Sequence, residues 1–233
     1  MNYAKTIPIY DDNIGSVSYV QHMGSDLTVV NSARVSFGVE KIELDDRDRK
    51  LINYLIKHKH TSTLEHNSVT FKFVVPLFVR SQHHRHRTWS YNEISRRYTD
   101  KDLQFYLPKS FRTQHKSNRQ ASNAEELINP QVFPTLSLRK AAELLEGRTL
   151  DCSYALNNLL KAGGGREQAR MILPQNLYTE YYGTVNLSNL LKFIDLRTHE
   201  GAQWEIQKVA EACLEIATDL WPITVESYRK IKN

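Results

Sequence analysis

The chain has 233 residues, of which 40% are hydrophobic and 24% are charged, an ordinary globular composition. Basic side chains exceed acidic ones by 31 − 26 = 5, a mild excess that favours acidic small molecules or nucleic acid without separating them. No apolar run approaches the ~18 residues of a membrane span, and the N-terminus lacks the apolar core of a signal peptide. The two cysteines share no CxxC or zinc-like spacing, so we expect a reducing, cytoplasmic compartment.

The first third of the chain predicts alternating strands and helices. The helix at residues 45–58 has acidic side chains in its first turn and an aliphatic stripe on one face. In residues 66–75, Val69, Phe71 and Phe73 alternate with polar side chains, as in a strand with one buried face. The predicted elements, in chain order, are a strand at 15–20, a short helix capped by residues 24–26, the helix at 45–58, the strand at 66–75 and a helix at 77–84.

The rest of the chain is mainly helical in prediction. Its elements are extended residues 106–108, a polar, mobile segment at 113–124, helical signal across 134–160, a glycine hinge at 163–165, and helices at 166–173, 186–196 and from Ala202 to Pro222. We find no repeat and no domain boundary. The expected fold is therefore a single α+β domain spanning residues 1–233.

Residues 85–98 stand apart, because neither a helical nor a strand period organises them. They hold four arginines, one histidine, one carboxylate, two serines and one asparagine, and Ile94 is the only aliphatic side chain. Several guanidiniums beside hydroxyl and amide groups suit a dense anion such as phosphate. A second polar island runs from Arg166 to Glu200 and includes Arg170 and Arg197. Two such islands indicate a site assembled from distant segments.

Other chemistries fit the sequence less well. Trp89, Tyr91 and Tyr98 can stack on bases, so nucleic-acid binding stays an alternative, although Glu93 and the modest net charge weigh against it. The histidine clusters lack the spacing of a zinc site, and we expect no metal. Cys213 falls on an apolar helix face, so a cysteine nucleophile is not indicated. No glycine-rich phosphate-binding motif is present.

Residues 85–97 read RHRTWSYNEISRR, and they match the pattern RHRxxSxNExSxR at every fixed position. This pattern resembles the signature of the flavin-dependent thymidylate synthases. Further segments resemble the same family, and the likeness runs from about Asp26 to the end of the last helix. These segments are residues 33–37, 60–66, 169–174, 184–186 and 196–205.

The resemblance implies a methyltransferase of dTMP biosynthesis. Such enzymes methylate dUMP to dTMP with carbon from 5,10-methylenetetrahydrofolate and reducing equivalents from NADPH through FAD. The implied fold is a small, mostly antiparallel sheet packed against several helices. The implied assembly is a homotetramer whose active sites are shared between subunits, with small-molecule substrates and neither nucleic acid nor membrane as partner.

The resemblance also implies residue roles. Arg197 resembles the catalytic arginine at the pyrimidine edge. Residues that resemble the dUMP-binding set are Gln82, Arg85, Glu93, Ser95, Arg96, Arg97, Arg170 and Arg197. Residues that resemble the FAD-binding set are Ser36, Ser62, Arg85, His86, Arg87, Glu93, Asn186 and Lys192. His60 and Tyr98 resemble folate-side residues. Lys192, Gly201 and Arg96 depart from the asparagine, histidine and small residue that relatives place there.

Overall fold

The computed structural model describes residues 4–100, 102–133 and 138–232. Three short 3₁₀ turns, at Val35–Phe37, Thr61–Leu64 and Arg170–Ile172, punctuate the longer elements. The strands of the described residues are β1 Thr6–Pro8, β2 Ser16–Met23, β3 Ser68–Pro76, β4 Ser90–Glu93, β5 Phe111–Gln114, β6 Ser122–Ile128, β7 Gln131–Val132, β8 Arg139–Lys140 and β9 Tyr178–Asn186. The helices are α1 Asp26–Arg34, α2 Asp46–Lys57, α3 Leu77–His83, α4 Ala141–Lys161, α5 Arg166–Ala169, α6 Leu187–Thr198, α7 Trp204–Leu220 and α8 Pro222–Lys232.

Five strands form one antiparallel sheet in the order β1-β2-β3-β9-β4. β3 and β9 pair along their whole length, from Ser68 opposite Asn186 to Pro76 opposite Tyr178. The short strand β4 closes one edge of the sheet by pairing with β9. Two small antiparallel pairs, β5 with β6 and β7 with β8, lie outside this sheet. The predicted α+β fold with a small antiparallel sheet is confirmed.

The hydrophobic core lies between this sheet and the C-terminal helices. Phe71 and Phe73 of β3 are fully buried, as the predicted alternation requires. α6 and α7 pack on each other, α6 packs against β9, and α7 packs against β2. Cys213 is fully buried on the core face of α7, and burial raises the pKa of its thiol well above the ordinary value. This confirms that Cys213 is a core residue.

Local signals explain why the long helices begin and end where they do. Asp45 caps α2, because its side chain accepts from the backbone N–H groups of Arg47 (2.8 Å) and Asp48 (3.1 Å). Asn186 caps α6 by accepting from the N–H of Asn189 at 2.9 Å. Pro222 ends the predicted helix but also opens α8, a first-turn position where its missing N–H costs nothing. α8 was not predicted.

Two segments expected to lack regular structure form strands. Ser90–Glu93, inside the aperiodic motif, is an edge strand whose polar side chains leave no alternation to detect. The segment at 113–124, expected to be mobile, instead contributes to a hairpin in which Thr113 faces Asn123 and Gln114 faces Ser122. Cross-strand pairing gives the two ends of this segment regular structure that no apolar periodicity announces, and its mobility stays a prediction.

The interior strand β9, which lies between β3 and β4, was also missed from the sequence, which indicated only a part of the second polar island. Its inward positions include Tyr181, Gly183 and Val185, and its outward positions include Glu180 and Tyr182. The period of two is present, but a tyrosine occupies both faces and a glycine stands at an inward position. The predicted helical signal at 134–160 begins in practice at α4, and residues 134–137 lie outside the described residues. No helix of the described chain is long and apolar enough to cross a membrane.

Candidate active site

The motif at residues 85–98 lies along one edge of the main sheet. α3 delivers the chain to it, and β4 then pairs with β9, placing Glu93 opposite Tyr181. The pairing continues one residue further, since the N–H of Ile94 donates to the carbonyl of Glu180 at 2.9 Å. A turn follows, in which the N–H of Tyr98 donates to the carbonyl of Ser95 at 3.0 Å. The motif therefore changes direction directly beside β9.

This turn forms one wall of an open cavity of about 700 Å³, which we call the arginine pocket. Arg80, Arg97 and Arg170 come to it from three different elements, and it also contains two carboxylates. Five residues of the predicted dUMP set line it, namely Glu93, Ser95, Arg96, Arg97 and Arg170. The excess of guanidiniums makes this cavity suited to an anion.

Glu93 is held from two sides within the arginine pocket. The hydroxyl of Thr179 donates to its Oε1 at 2.7 Å, and Nε of Arg80 lies 3.2 Å from the same oxygen. The sequence alone indicated neither partner. Arg80 comes from α3, and only the pairing of β4 with β9 brings Thr179 to this place. The contacts fix the carboxylate and leave its second oxygen without a described hydrogen-bond donor. Glu93 is therefore placed as a fixed acceptor.

Arg96 and Arg97 point in different directions. The guanidinium of Arg96 reaches the backbone, with Nη2 3.5 Å from the carbonyl oxygen of Tyr178, and burial lowers the pKa of Arg96. Arg97 lies over the ring of Tyr98 at 5.4 Å, and its N–H donates to the hydroxyl oxygen of Ser95 at 3.3 Å. Position 96, where relatives have a small residue, thus holds an arginine whose side chain lies beside the sheet. The side chain of Arg97 is exposed.

A second polar group lies where the two islands of the sequence meet. Arg197, in the last turn of α6, donates from Nε to Nε2 of His86 at 3.1 Å and from Nη2 to the carbonyl oxygen of Gln82 at 3.2 Å. Burial, reinforced by the Arg197 guanidinium, lowers the pKa of His86 to about 4. His86 is therefore neutral near pH 7 and accepts through Nε2. The two polar islands of the sequence thus come into contact here, and their assembly into one binding site stays a prediction.

Aromatic packing holds the segment between these two polar groups. Trp89 is buried, and its ring lies nearly parallel to that of Tyr91, with centroids 6.1 Å apart. The hydroxyl of Tyr91 donates to the carbonyls of His83 (3.0 Å) and His86 (3.2 Å). These rings serve the interior of the protein, so Trp89 is not available for stacking on a base. Internal packing, and not only a bound ligand, sets the shape of the motif.

The predicted FAD residues occupy several places. Ser36 and Ser62 line a cavity of about 570 Å³, the serine pocket, together with His60 and the ring of Phe37. Lys192 lines a separate cavity of about 310 Å³, which His60 also borders. Asn186 caps α6, and the side chains of Arg85 and Arg87 are exposed at the start of the motif. Tyr98 is exposed beside the arginine pocket, whereas His60 belongs to the serine pocket.

The serine pocket offers hydrogen-bonding groups that suit part of a flavin dinucleotide. Hydroxyl groups of Ser36 and Ser62 can meet ribityl or phosphate oxygens. Arg85 and Arg87 do not line this pocket, and their exposed side chains at the start of the motif offer charge for a pyrophosphate. The ring of Phe37 is 84% exposed and can be covered by a flat ring of a ligand. These residues fit the group, and their contact with it stays a prediction. Among the described residues, no group of three or more histidine, cysteine or acidic side chains forms a metal site.

Comparison with known proteins assigns the chain to a family. Residues 18–223 match the model of the family described as thymidylate synthase complementing protein. The flavin-dependent thymidylate synthase of Thermus thermophilus is 42% identical over 227 residues, which is 97% of this chain and 78% of that protein. That of Thermotoga neapolitana is 37% identical over 224 residues, 96% of this chain and 94% of that protein.

A solved structure agrees with this assignment. The UMP/dUMP methylase PolB from Streptomyces cacaoi, in its crystal structure bound with 5-Br dUMP, superimposes with a TM-score of 0.78 at 32% sequence identity. The superposition covers 92% of this chain and 94% of that one. The chain thus has the antiparallel sheet, the arginine pocket and the complete motif. Its sequence similarity to these relatives extends over nearly its whole length. The chain belongs to the flavin-dependent thymidylate synthase family.

Proposed function

We propose that the protein converts dUMP to dTMP by reductive methylation of the uracil ring. The carbon comes from 5,10-methylenetetrahydrofolate, and the reducing equivalents come from NADPH through FAD. The observation that carries the proposal is the gathering of five residues of the predicted dUMP set in the arginine pocket of a chain belonging to this family. The dUMP analogue bound to PolB, a structural neighbour at 32% identity, supports the same substrate. One domain, residues 1–233, carries the activity.

The nucleotide phosphate is assigned to the arginine pocket. The hydroxyl of Ser95, the guanidiniums of Arg97 and Arg170, and the backbone N–H of Arg96 offer donors to it. A phosphate with two negative charges is well matched by such charge-assisted hydrogen bonds. Glu93, held by its two neighbours, offers a fixed acceptor to a nucleotide hydroxyl or N–H group. Binding the phosphate and sugar in this way orients the uracil ring for reaction.

Arg197 is assigned to the uracil ring, with Gln82 and Arg85 beside it. A guanidinium against the pyrimidine edge stabilises the negative charge that develops as the ring carbon becomes nucleophilic. His86, neutral and accepting from Arg197, holds that guanidinium in one orientation without adding a competing charge. The half-buried position of Arg197 strengthens the effect, since burial lowers the local dielectric.

The flavin supplies hydride chemistry when it is bound. Ser36, Ser62, Arg85, His86, Arg87, Glu93, Asn186 and Lys192 are the residues assigned to hold it. His60 and Tyr98 are assigned to the folate side, where their rings exclude water from the reacting carbon. The protein's part is orientation, exclusion of water and placement of charge.

We propose that the enzyme is a homotetramer whose subunits share active sites. Within one chain, Arg197 and Gln82 are not among the residues that line the arginine pocket. A complete site requires the arginine pocket together with Arg197 and Gln82. Neighbouring subunits meet this requirement if one supplies the pocket and the other supplies Arg197 and Gln82. Met171, which lines the arginine pocket and is 79% exposed, offers apolar surface for such contacts. The free thiols of Cys152 and Cys213 accord with a reducing, cytoplasmic setting.

The deciding experiment is tritium release from dUMP labelled at C5. The purified protein should release tritium when FAD, NADPH and 5,10-methylenetetrahydrofolate are all present, and dTMP should form in equal amount. Omitting the folate should abolish dTMP. A colourless protein that takes up no FAD and releases no tritium would overturn the proposal. Salt-dependent oligonucleotide binding by such a protein would favour the nucleic-acid alternative.

A further inference from the structure

A buried carboxylate lies behind Gln82, away from the residues that carry the motif. Glu205, in the first turn of α7, is 3% exposed. Its Oε1 accepts from Nη2 of Arg112 at 2.6 Å and from the hydroxyl of Tyr106 at 3.3 Å. Its Oε2 accepts from Nε2 of Gln203 at 2.8 Å. The amide of Gln203 in turn accepts, through Oε1, from Nε2 of Gln82 at 2.5 Å.

These contacts leave the two amides a single consistent orientation. A carboxylate paired with a guanidinium can only accept hydrogen bonds, so Gln203 must turn its NH₂ group toward Glu205. The oxygen of Gln203 then faces Gln82, which must donate in turn. Gln82 is left with its Oε1 pointing out of the chain of bonds, and no described residue donates to that oxygen. We call Glu205, Gln203 and Gln82 the amide relay.

The relay ends at Gln82, whose backbone carbonyl accepts from Nη2 of Arg197, the residue assigned to the uracil ring. An acceptor fixed at this point recognises a hydrogen-bond donor on the ligand, and it disfavours an acceptor in the same place.

We infer that Glu205 is a positioning residue which, through Gln203, fixes Gln82 as a hydrogen-bond acceptor for the nucleotide. The inference rests on the proposed function, because it takes dUMP as the ligand. Two groups of dUMP have the required chemistry, namely N3–H of the base and the 3′-hydroxyl of the sugar. Arg112 is part of the arrangement, since its guanidinium pairs with the buried carboxylate at 2.6 Å.

The inference makes an unusual prediction for Glu205→Gln. Arg112 still demands an oxygen on its side, so the new amide must turn its NH₂ group toward Gln203. Gln203 then has to accept from position 205 and donate toward Gln82. Gln82 accepts in turn and presents NH₂, not oxygen, to the nucleotide. The substitution at position 205 thus changes the group that Gln82 presents from an acceptor to a donor, although residue 205 does not contact Gln82. A hydrogen-bond donor on dUMP then faces another donor.

A second variant restores the original polarity. In Gln203→Glu/Glu205→Gln, the amide at 205 donates to the carboxylate at 203. The other oxygen of that carboxylate accepts from Gln82, whose Oε1 again faces the nucleotide. The double variant has the same atoms in exchanged positions and the same net charge. A purely structural role for Glu205 predicts no such rescue, because the second substitution adds another change to the same buried place.

The test is the Kd for dUMP of the FAD-loaded proteins, measured by titration calorimetry. E205Q should bind roughly tenfold or more weakly than wild type, a change of about 1.4 kcal/mol, and the double variant should recover most of that loss. Equal affinities for wild type and E205Q, or a double variant no better than E205Q, would overturn the inference. A wild-type protein that binds no dUMP would instead overturn the proposed function. The flavin absorbance and melting temperature of each variant report whether it is folded.

A third variant covers the case in which E205Q does not fold. Gln203→Met leaves the pair of Glu205 and Arg112 intact and cuts the relay one link later. Its Gln82 amide rotates freely, so dUMP should bind several-fold more weakly than to wild type, and wild-type affinity would overturn the inference. Repeating the comparison with 2′,3′-dideoxyuridine monophosphate identifies the donor. If Gln203→Met does not weaken binding of this analogue, the donor is the 3′-hydroxyl. If the weakening is the same as for dUMP, the donor is N3–H. Either result supports an acceptor at Gln82.

Discussion

Replacing Arg197 with alanine separates the catalytic role proposed for this residue from its structural role. The change removes two hydrogen bonds, to Nε2 of His86 at 3.1 Å and to the carbonyl of Gln82 at 3.2 Å. At about 0.5–1.5 kcal/mol for each bond, the free energy of unfolding should fall by about 1–3 kcal/mol. In a domain of this size that corresponds to a melting temperature lower by about 2–12 °C. The folded protein should still bind FAD.

The effect on turnover should be much larger. Removing one group that stabilises developing charge typically costs about 10²–10³-fold in kcat, whereas the loss of stability leaves the enzyme folded at the assay temperature. The assay is tritium release from dUMP labelled at C5, with the flavin absorbance of the same sample as a measure of loading. Wild-type-like turnover in the variant would refute the assignment of Arg197.

Arg148→Ala is the matched control. Arg148 lies on α4, is 62% exposed and contacts Asp151 at 3.2 Å, an exposed ion pair of the kind that contributes little to stability. Its removal should leave turnover unchanged and shift the melting temperature only slightly. If both variants lost turnover equally, the loss would reflect a general effect of removing positive charge, and the argument for Arg197 would fail.

Three further outcomes are expected. Gly183→Ala should lower the free energy of unfolding by about 1–2 kcal/mol in a thermal melt, because its methyl would lie 2.9 Å from Cε2 of Phe73. Arg170→Ala should raise KM for dUMP about 10–100-fold with less effect on kcat, since a phosphate contact acts before and during the reaction. Stability should fall as pH drops from about 6.5 to 4, because burial lowers the folded-state pKa of His86 to about 4 and the unfolded chain takes up the proton first. The slope should be smaller in His86→Gln, which cannot titrate, and some slope should remain because burial also lowers the pKa of His83.

The elements predicted correctly are those whose apolar side chains recur on one face. α2 and α7 follow a helical period with clear starting signals, and β3 alternates with buried phenylalanines. β9 and β4 escaped prediction for opposite reasons. β9 lies inside the sheet, between β3 and β4, but carries polar aromatic side chains on both faces. β4 is an edge strand with little apolar content. In both strands the partner strands decide the conformation, and no local pattern records them.

The candidate site divides in the same way. Glu93 and Arg97 are close in the sequence, so a single motif predicts that they act together. The partners of Glu93 come from α3 and β9, and the contact with Thr179 exists only because β4 pairs with β9 in one register. The bond between Gln82 and Gln203 joins residues 121 positions apart. A resemblance can bring such residues to attention, but only the packing of α3 against α7 brings them together.

The aromatic packing inside the motif explains how one short segment can serve two sites. Trp89 and Tyr91 are anchored against buried rings, and the Tyr91 hydroxyl ties down two backbone carbonyls on the side of His86. This anchor divides the segment, so that His86 turns toward Arg197 while Glu93 and the residues after it turn toward the arginine pocket. A flexible anion-binding loop would lose entropy each time it bound a ligand. A segment fixed at its middle has already lost that entropy on folding, which leaves both halves preorganised for charge placement.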